Sequence, residues 1–292
     1  MEHLEYKKLN AFSAANSTGN PAACIYLKSG QQLSDREMLS IAKEHKGFVS
    51  EVIYCTSLSE ISFRLKYYSS ECEVEFCGHG TIACMYELIK SNDRLKVLPE
   101  IAITTNKGDL IVYNELEELD AVFITAPDPQ YLTVAVGLND IADNLNISLT
   151  EINNNHPVQL IDAGLKTLIV PINNIKEITQ ITPNEAILKE FCLSNGIDII
   201  LVFTEGVVDR NNKARTRVFA PKFGYLEDPA TGSGNSAFGY YMLRHSLWDG
   251  QPISIEQNAM IADYNIVRLN TRDNKVLFGG NATLKIKGSY YL

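Results

Sequence analysis

The chain has 292 residues, 45% of them hydrophobic and 21% charged, with a formal net charge of -9. That length supports one large domain or two of about 150 residues, and the acidic balance without any basic cluster argues against a charge-driven grip on nucleic acid. No apolar run approaches a membrane span, and the charged opening "MEHLEYKKLN" is unlike a signal peptide, so the expectation is a cytoplasmic protein acting on small molecules.

In chain order, "AACIYL" reads as a strand, and "LSDREMLSIAKEHKG" (33–47) as a helix. Ser34 and Glu37 form a capping box, Leu33 and Met38 stand in hydrophobic-staple positions, and Gly47 is the expected stop. The next run, "GFVSEVIYC", is apolar except at Ser50 and Glu51. A lone acid in a strand ordinarily faces water, so Glu51 needs a reason to matter. After a second strand, "ISFRLKYY", the glycine-rich "FCGHGTIACMYELIK" leads into a helix apolar on nearly every face. Such a helix has to be enclosed by other elements. The runs "IAITT", "AVFITA" and "TLIVPI" read as further strands.

From residue 181 the plan repeats. "ITPNEAILKEFCLSNG" (181–196) offers Thr182 as cap, Pro183 at the first helical position, Glu185 to close the box and Gly196 as stop. The strands "IDIILVFTE" and "ARTRVFAP" follow, then a second glycine turn and apolar helix, "ATGSGNSAFGYYMLR". Setting Gly78 on Gly232 also pairs Gly80 with Gly234, Ala83 with Ala237 and Tyr86 with Tyr240. Two helix-filled β units are therefore expected, an α+β architecture. Counting from the stop glycines, Glu51 aligns with Ile200, so one copy carries a carboxylate where the other has an aliphatic residue. The expected division is 1–118 and 119–281, with the crossing between Asn114 and Asp128.

Each G-x-G turn presents backbone N–H groups and the positive end of a helix dipole, a setting for a carboxylate, and two related units facing one another would share one cleft. "CGHG" adds Cys77 and His79, and "EDPATGSG" adds Glu227, Asp228, Thr231 and Ser233. Such a group suits proton transfer at a carbon beside an electron-withdrawing group, with Glu51 as base and then acid. His79 reads equally as a helix cap or core imidazole, and Asp228 equally as a turn residue before Pro229. The six cysteines contain no C-x-x-C pair, so neither a zinc site nor a disulfide framework is expected. Five read as small core residues; Cys77 stands apart by its neighbours.

"NAFSAANSTGNPAACIYL", the Ser50–Glu51 strand, "FCGHGTIA" and above all "EDPATGSGNSAFGYYM" together resemble the phenazine biosynthesis PhzF-like family, whose fold is that of diaminopimelate epimerase. The resemblance implies an isomerase without a cofactor or metal, built from two pseudo-symmetric epimerase-like domains, each a barrel-like mixed β-sheet around a central apolar helix, and often dimeric. It implies that Glu51 shuttles the proton and that His79 and Asp228 contact a small carboxylate-bearing substrate, dihydroanthranilate-like in the phenazine enzyme itself. Ser50, Gly78, Gly80, Gly232, Ser233, Gly234 and Gln257 would bind that substrate, and the final strand, 282–292, would return to the first domain. The chain departs from the family pattern around Gln257, in "IEQNAMIADYNIV", and lacks a proline before the first glycine turn.

Two other functions compete. A two-thiol amino-acid racemase would use Cys77, but the matching position is Thr231. A non-catalytic anion-binding protein would use the glycine turns alone, where a carboxylate at Glu51 would oppose it.

Overall fold

A computed structural model describes residues 3–14, 16–28 and 30–292 of the chain. No helix among the described residues is long and apolar enough to cross a membrane. The chain divides into two compact units, the first Met1–Ser13, Thr18–Thr125 and Gly279–Leu292, the second Ala14–Ser17 and Ala126–Phe278.

In the first unit the sheet runs from the C-terminal strand Ala282–Tyr291 to His3–Ala11, Asn20–Leu27, Glu51–Ser57, Ser62–Ser69, Glu100–Thr105, Gly108–Glu115 and Ala121–Thr125. Two neighbouring pairs are parallel: Asn20–Leu27 with Glu51–Ser57, and Ser62–Ser69 with Glu100–Thr105. A parallel pair needs a crossover, and each crossover here carries a helix. The first is Asp35–Glu44, with Ser34 as N-cap and the capping box with Glu37 formed as its sequence predicts. The second is Gly78–Lys90, which touches strands from both ends of the sheet order, Ala282–Tyr291 and Ala121–Thr125, so the sheet curls around it.

The second unit repeats this order with Gln130–Leu132, Gln159–Asp162, Lys166–Pro171, Ile199–Thr204, Ala214–Phe219, Ile253–Gln257 and Asn265–Arg272. Its crossover helices are Glu185–Ser194 and Gly232–Arg244. Both enclosed helices have 13 residues, and Ile82–Tyr86 and Asn235–Met242 are buried without interruption, the arrangement of apolar helices enclosed by mixed β-sheet that the α+β reading expects.

One helix start differs from its sequence reading. The N-cap is Asn184, whose side chain accepts from Ile187 N–H, so the helix begins two residues later than a Thr182 cap would place it. Asn is as good a cap as Thr, and it lies nearer the apolar positions Leu188, Phe191 and Cys192 that fix the buried face.

The register between the copies also differs. Val52 and Tyr54 pack with Met38, Ile41 and Ala42 of the amphipathic helix; Ile200 and Val202 pack in the same way with Leu188, Phe191 and Cys192. Val52 is therefore the counterpart of Ile200, and Glu51 that of Ile199. The link from helix to strand, residues 45–50 in one copy and 195–198 in the other, is two residues shorter in the second, which defeats a count from the stop glycines. A one-residue slip exchanges the faces of a strand. Glu51 thus shares a face with Ile53, which lies against Gly80 of the enclosed helix.

Candidate active site

Glu51 opens its strand opposite Ser69 and is half-buried, its side chain 20% exposed. Two neighbours, Cys77 and His79, converge on it from the start of the enclosed helix. Cys77 is the N-cap: its backbone is extended, its buried Sγ accepts from Gly80 N–H, and Thr81 N–H and Oγ1 both donate to its carbonyl. A Cβ at Gly80 would lie 2.7 Å from Ile53 Cδ1 and 3.0 Å from Cys77 Sγ, so any side chain there would displace both. The Tyr67 hydroxyl, 2.7 Å from Thr81 Oγ1, braces the turn from the neighbouring strand.

The Glu51 carboxylate Oε2 lies 3.7 Å from Cys77 Sγ, which donates to it, and 3.3 Å from His79 Nε2. His79 Nδ1 is in turn 3.4 Å from Cys77 Sγ. Burial pushes the imidazole down to about 4, against the opposing effect of a hydrogen bond to the Pro21 backbone. The Glu51–His79 distance suits an ion pair, but a ring so depressed is neutral near pH 7, so the contact is between a carboxylate and a dipole. Among the described residues, Glu51, Cys77 and His79 form the one group of three whose metal-ligand-type atoms all lie within 4.8 Å of one another.

In the second unit, Asp228 sits on the two-residue strand Glu227–Asp228, opposite Val218. Thr231 Oγ1 donates to its Oδ2 at 2.6 Å. Arg217 clamps Glu227 with two hydrogen bonds, from Nε to Oε1 and from Nη2 to Oε2, which fixes the short strand next to Asp228. Ser233 is half-buried in the first turn of its helix. Gly232 stands where a Cβ would be 2.3 Å from the Phe278 ring.

The structure brings Glu51, His79 and Gly78 to one helix start and Asp228, Gly232 and Ser233 to the other. Ser50 lies just before its strand and is exposed. Gln257 is fully buried, its Oε1 accepts from Thr231 N–H and Asn235 Nδ2, and its Nε2 donates to the Asp228 carbonyl and Thr231 Oγ1. With its amide so engaged it braces the turn that carries Asp228. Gly80 and Gly234 are likewise buried, admitting close packing of helix on strand. Sequence reasoning missed Asn235, Tyr67 and Arg217 as supports for the turns, because their effect depends on partners 10 to 39 positions away.

Comparison with known proteins agrees with this architecture. The model of the phenazine biosynthesis-like (PhzC-PhzF) family matches residues 9–288. The chain is 26% identical to "Antisense-enhancing sequence 1" of Schizosaccharomyces pombe, with all of both chains covered. It is 25% identical to "Uncharacterized isomerase YfhB" of Bacillus subtilis, over 99% of this chain and 96% of that protein. The crystal structure of the Bacillus anthracis phenazine biosynthesis protein of the PhzF family superposes with a TM-score of 0.84 at 22% identity, covering all of both chains.

Proposed function

This chain belongs to the phenazine biosynthesis-like family, and from that premise we propose that it is an isomerase that moves a proton between carbons of a small carboxylate-bearing substrate, with Glu51 as the shuttle. The observation that carries this reading is the half-buried Glu51 carboxylate, held 3.3 Å from His79 Nε2 and 3.7 Å from Cys77 Sγ at a helix start. Glu51 accepts a proton from an acidified C–H and becomes a carboxylic acid; the electron pair left behind spreads into the substrate's conjugated system. The same carboxyl then returns the proton at another carbon, so no net acid or base is consumed.

The helix Gly78–Lys90 suits the anionic part of such a substrate, because its first N–H groups lack intrahelical partners and its dipole favours negative charge. Gly80 N–H is engaged with Cys77 Sγ, which leaves the task to Gly78 and His79. Asp228, oriented by Thr231, is the corresponding carboxylate at the start of the second unit's enclosed helix. A two-thiol racemase is the weaker reading, since the counterpart of Cys77 is Thr231, whose hydroxyl is engaged with Asp228.

The test is incubation in heavy water with cyclic or unsaturated carboxylic acids, watching for deuterium at carbon. The expected result is uptake that Glu51→Gln abolishes. Uptake undiminished in that variant would sink Glu51 as the base.

A further inference from the structure

Glu51, Cys77 and His79 are suited to a second chemistry. A carboxylate oxygen, a thiolate sulfur and an imidazole nitrogen are donors that zinc takes together. Zinc bonds of about 2.0–2.3 Å in tetrahedral geometry set such donors about 3.4–3.6 Å apart. Here Nε2–Oε2 is 3.3 Å, Sγ–Oε2 3.7 Å and Sγ–Nε2 3.9 Å. Each edge is within about 0.4 Å of what one ion requires, a shift that small side-chain rotations supply.

The surroundings favour the same occupant. Gly80 N–H already donates to Cys77 Sγ at the start of a 13-residue helix, where the dipole favours a thiolate. The Pro21 backbone is hydrogen-bonded to His79, the kind of outer partner that orients a ligating imidazole. The side chains of Glu51 and His79 are 20% and 12% exposed, so an ion can reach them and water can complete its coordination. At the matching positions of the other unit stand Ile199, Thr231 and Ser233, which offer no soft donor. The C-x-H step with an acid 26 positions earlier is not a standard zinc spacing, which is why the sequence pointed away from metal.

We propose that Glu51, Cys77 and His79 form a zinc site, and that zinc held there shuts down the proton transfer assigned to Glu51, because an oxygen lone pair bound to the metal is not available to a proton. Binding releases one proton, from the Cys77 thiol to solvent, and changes no oxidation state.

The experiment titrates the chelator-treated full chain with cobalt(II), a spectroscopic stand-in for zinc. One cobalt per chain is expected, with a sulfur-to-cobalt charge-transfer band and strong tetrahedral visible bands, both removed by added zinc and neither by magnesium. Cys77→Ser, which keeps a good helix cap, should abolish the charge-transfer band and weaken zinc binding at least about tenfold, with circular dichroism confirming the fold. Glu51→Gln should keep the band and weaken zinc binding. Cys72→Ser, which removes a thiol that reads as a core residue in the sequence but is exposed in the structure, should change neither. Absence of the band, or a band that survives Cys77→Ser and disappears in Cys72→Ser, overturns the proposal. Neither result touches the heavy-water assay of the metal-free protein, so the zinc site and the proton shuttle stand or fall separately.

Discussion

The two units share strand order, crossover helices and glycine turns, yet each draws its acid from a different strand. Aligned through Val52 and Ile200, the first unit has Glu51 where the second has Ile199, which is 1% exposed. Aligned through the pairs Tyr67–Val74 and Val218–Asp228, the second has Asp228 where the first has Val74. Neither unit keeps both acids. One scaffold therefore presents a carboxylate to the start of its enclosed helix from two directions, and the remaining strand position is filled by an aliphatic residue. The proposed chemistry rests on substituted positions of a repeat whose strand order and crossover helices are kept.

The same comparison separates support from reactivity. Lys66 lies 3.9 Å from Glu73 in the first unit, and at the corresponding positions Arg217 grips Glu227 at 2.8 Å. Arg64 faces Thr104 across a parallel pair at the exposed surface, whereas Arg215 faces Glu256 with both side chains fully buried, 3.0 Å apart. Glu256 is further satisfied by the N–H groups of Val208 and Asp209 and by Asn212. At these positions the second unit is braced by buried charge; the buried pair of the first, Lys7 with Glu87, lies elsewhere.

The sharpest test of the asymmetry compares the two acids. Glu51→Gln should lower deuterium exchange by about 10²–10⁴-fold, the worth of a general base, and Asp228→Asn by about 10–100-fold, the worth of orientation. Equal losses would mean that the acids act as an equivalent pair. The next effect falls on stability. Arg215→Ala deprives the buried Glu256 of its cation and should cost about 3–5 kcal/mol, while Arg64→Ala should stay within about 0.5 kcal/mol. Urea unfolding read by circular dichroism and by Trp248, the one tryptophan of the chain, measures both.

At the glycine turns a pH effect should belong to the first unit, since the counterpart of His79 is Ser233. The native imidazole is held near 4 against 6.5 for the free side chain, so between those values the unfolded chain binds the extra proton. His79 should then withdraw stability from the chelator-treated protein as pH drops from about 6.5 to about 4, by at most about 1.4 kcal/mol per pH unit. His79→Asn should flatten that arm of the profile; an unchanged slope would show that the ring protonates freely in the native state. The smallest effect compares the glycines. Gly80→Ala has to displace Ile53 and the Cys77 thiol and should cost about 1–3 kcal/mol, whereas Gly234→Ala meets its nearest atom, Ile199 Cδ1, at 3.2 Å and should cost less than about 1 kcal/mol in thermal melts.

What the sequence shows of this fold is what local chemistry dictates. The capping box at Ser34, the enclosed helices and the glycine turns at Gly78 and Gly232 are legible because caps, glycines and unbroken apolar runs act over a few residues. The partner of Glu51 is not, because the link from helix to strand changes length between copies and only contacts across the sheet reveal it. Thr182 and Asn184 compete as caps two positions apart, and the buried face decides between them. Gln257 is recognisable as a member of the site region, but its engagement with Thr231, Asn235 and the Asp228 backbone depends on folding across 22 to 29 positions.

The strand Ala282–Tyr291 lies along His3–Ala11 and completes the first unit from the far side of the second in the chain. During synthesis this imposes an order: residues 126–278 emerge in full before the strand that closes the unit begun first. A chain that stops short of residue 282 leaves His3–Ala11 with one edge unpaired, the kind of exposed strand edge that invites pairing with foreign strands.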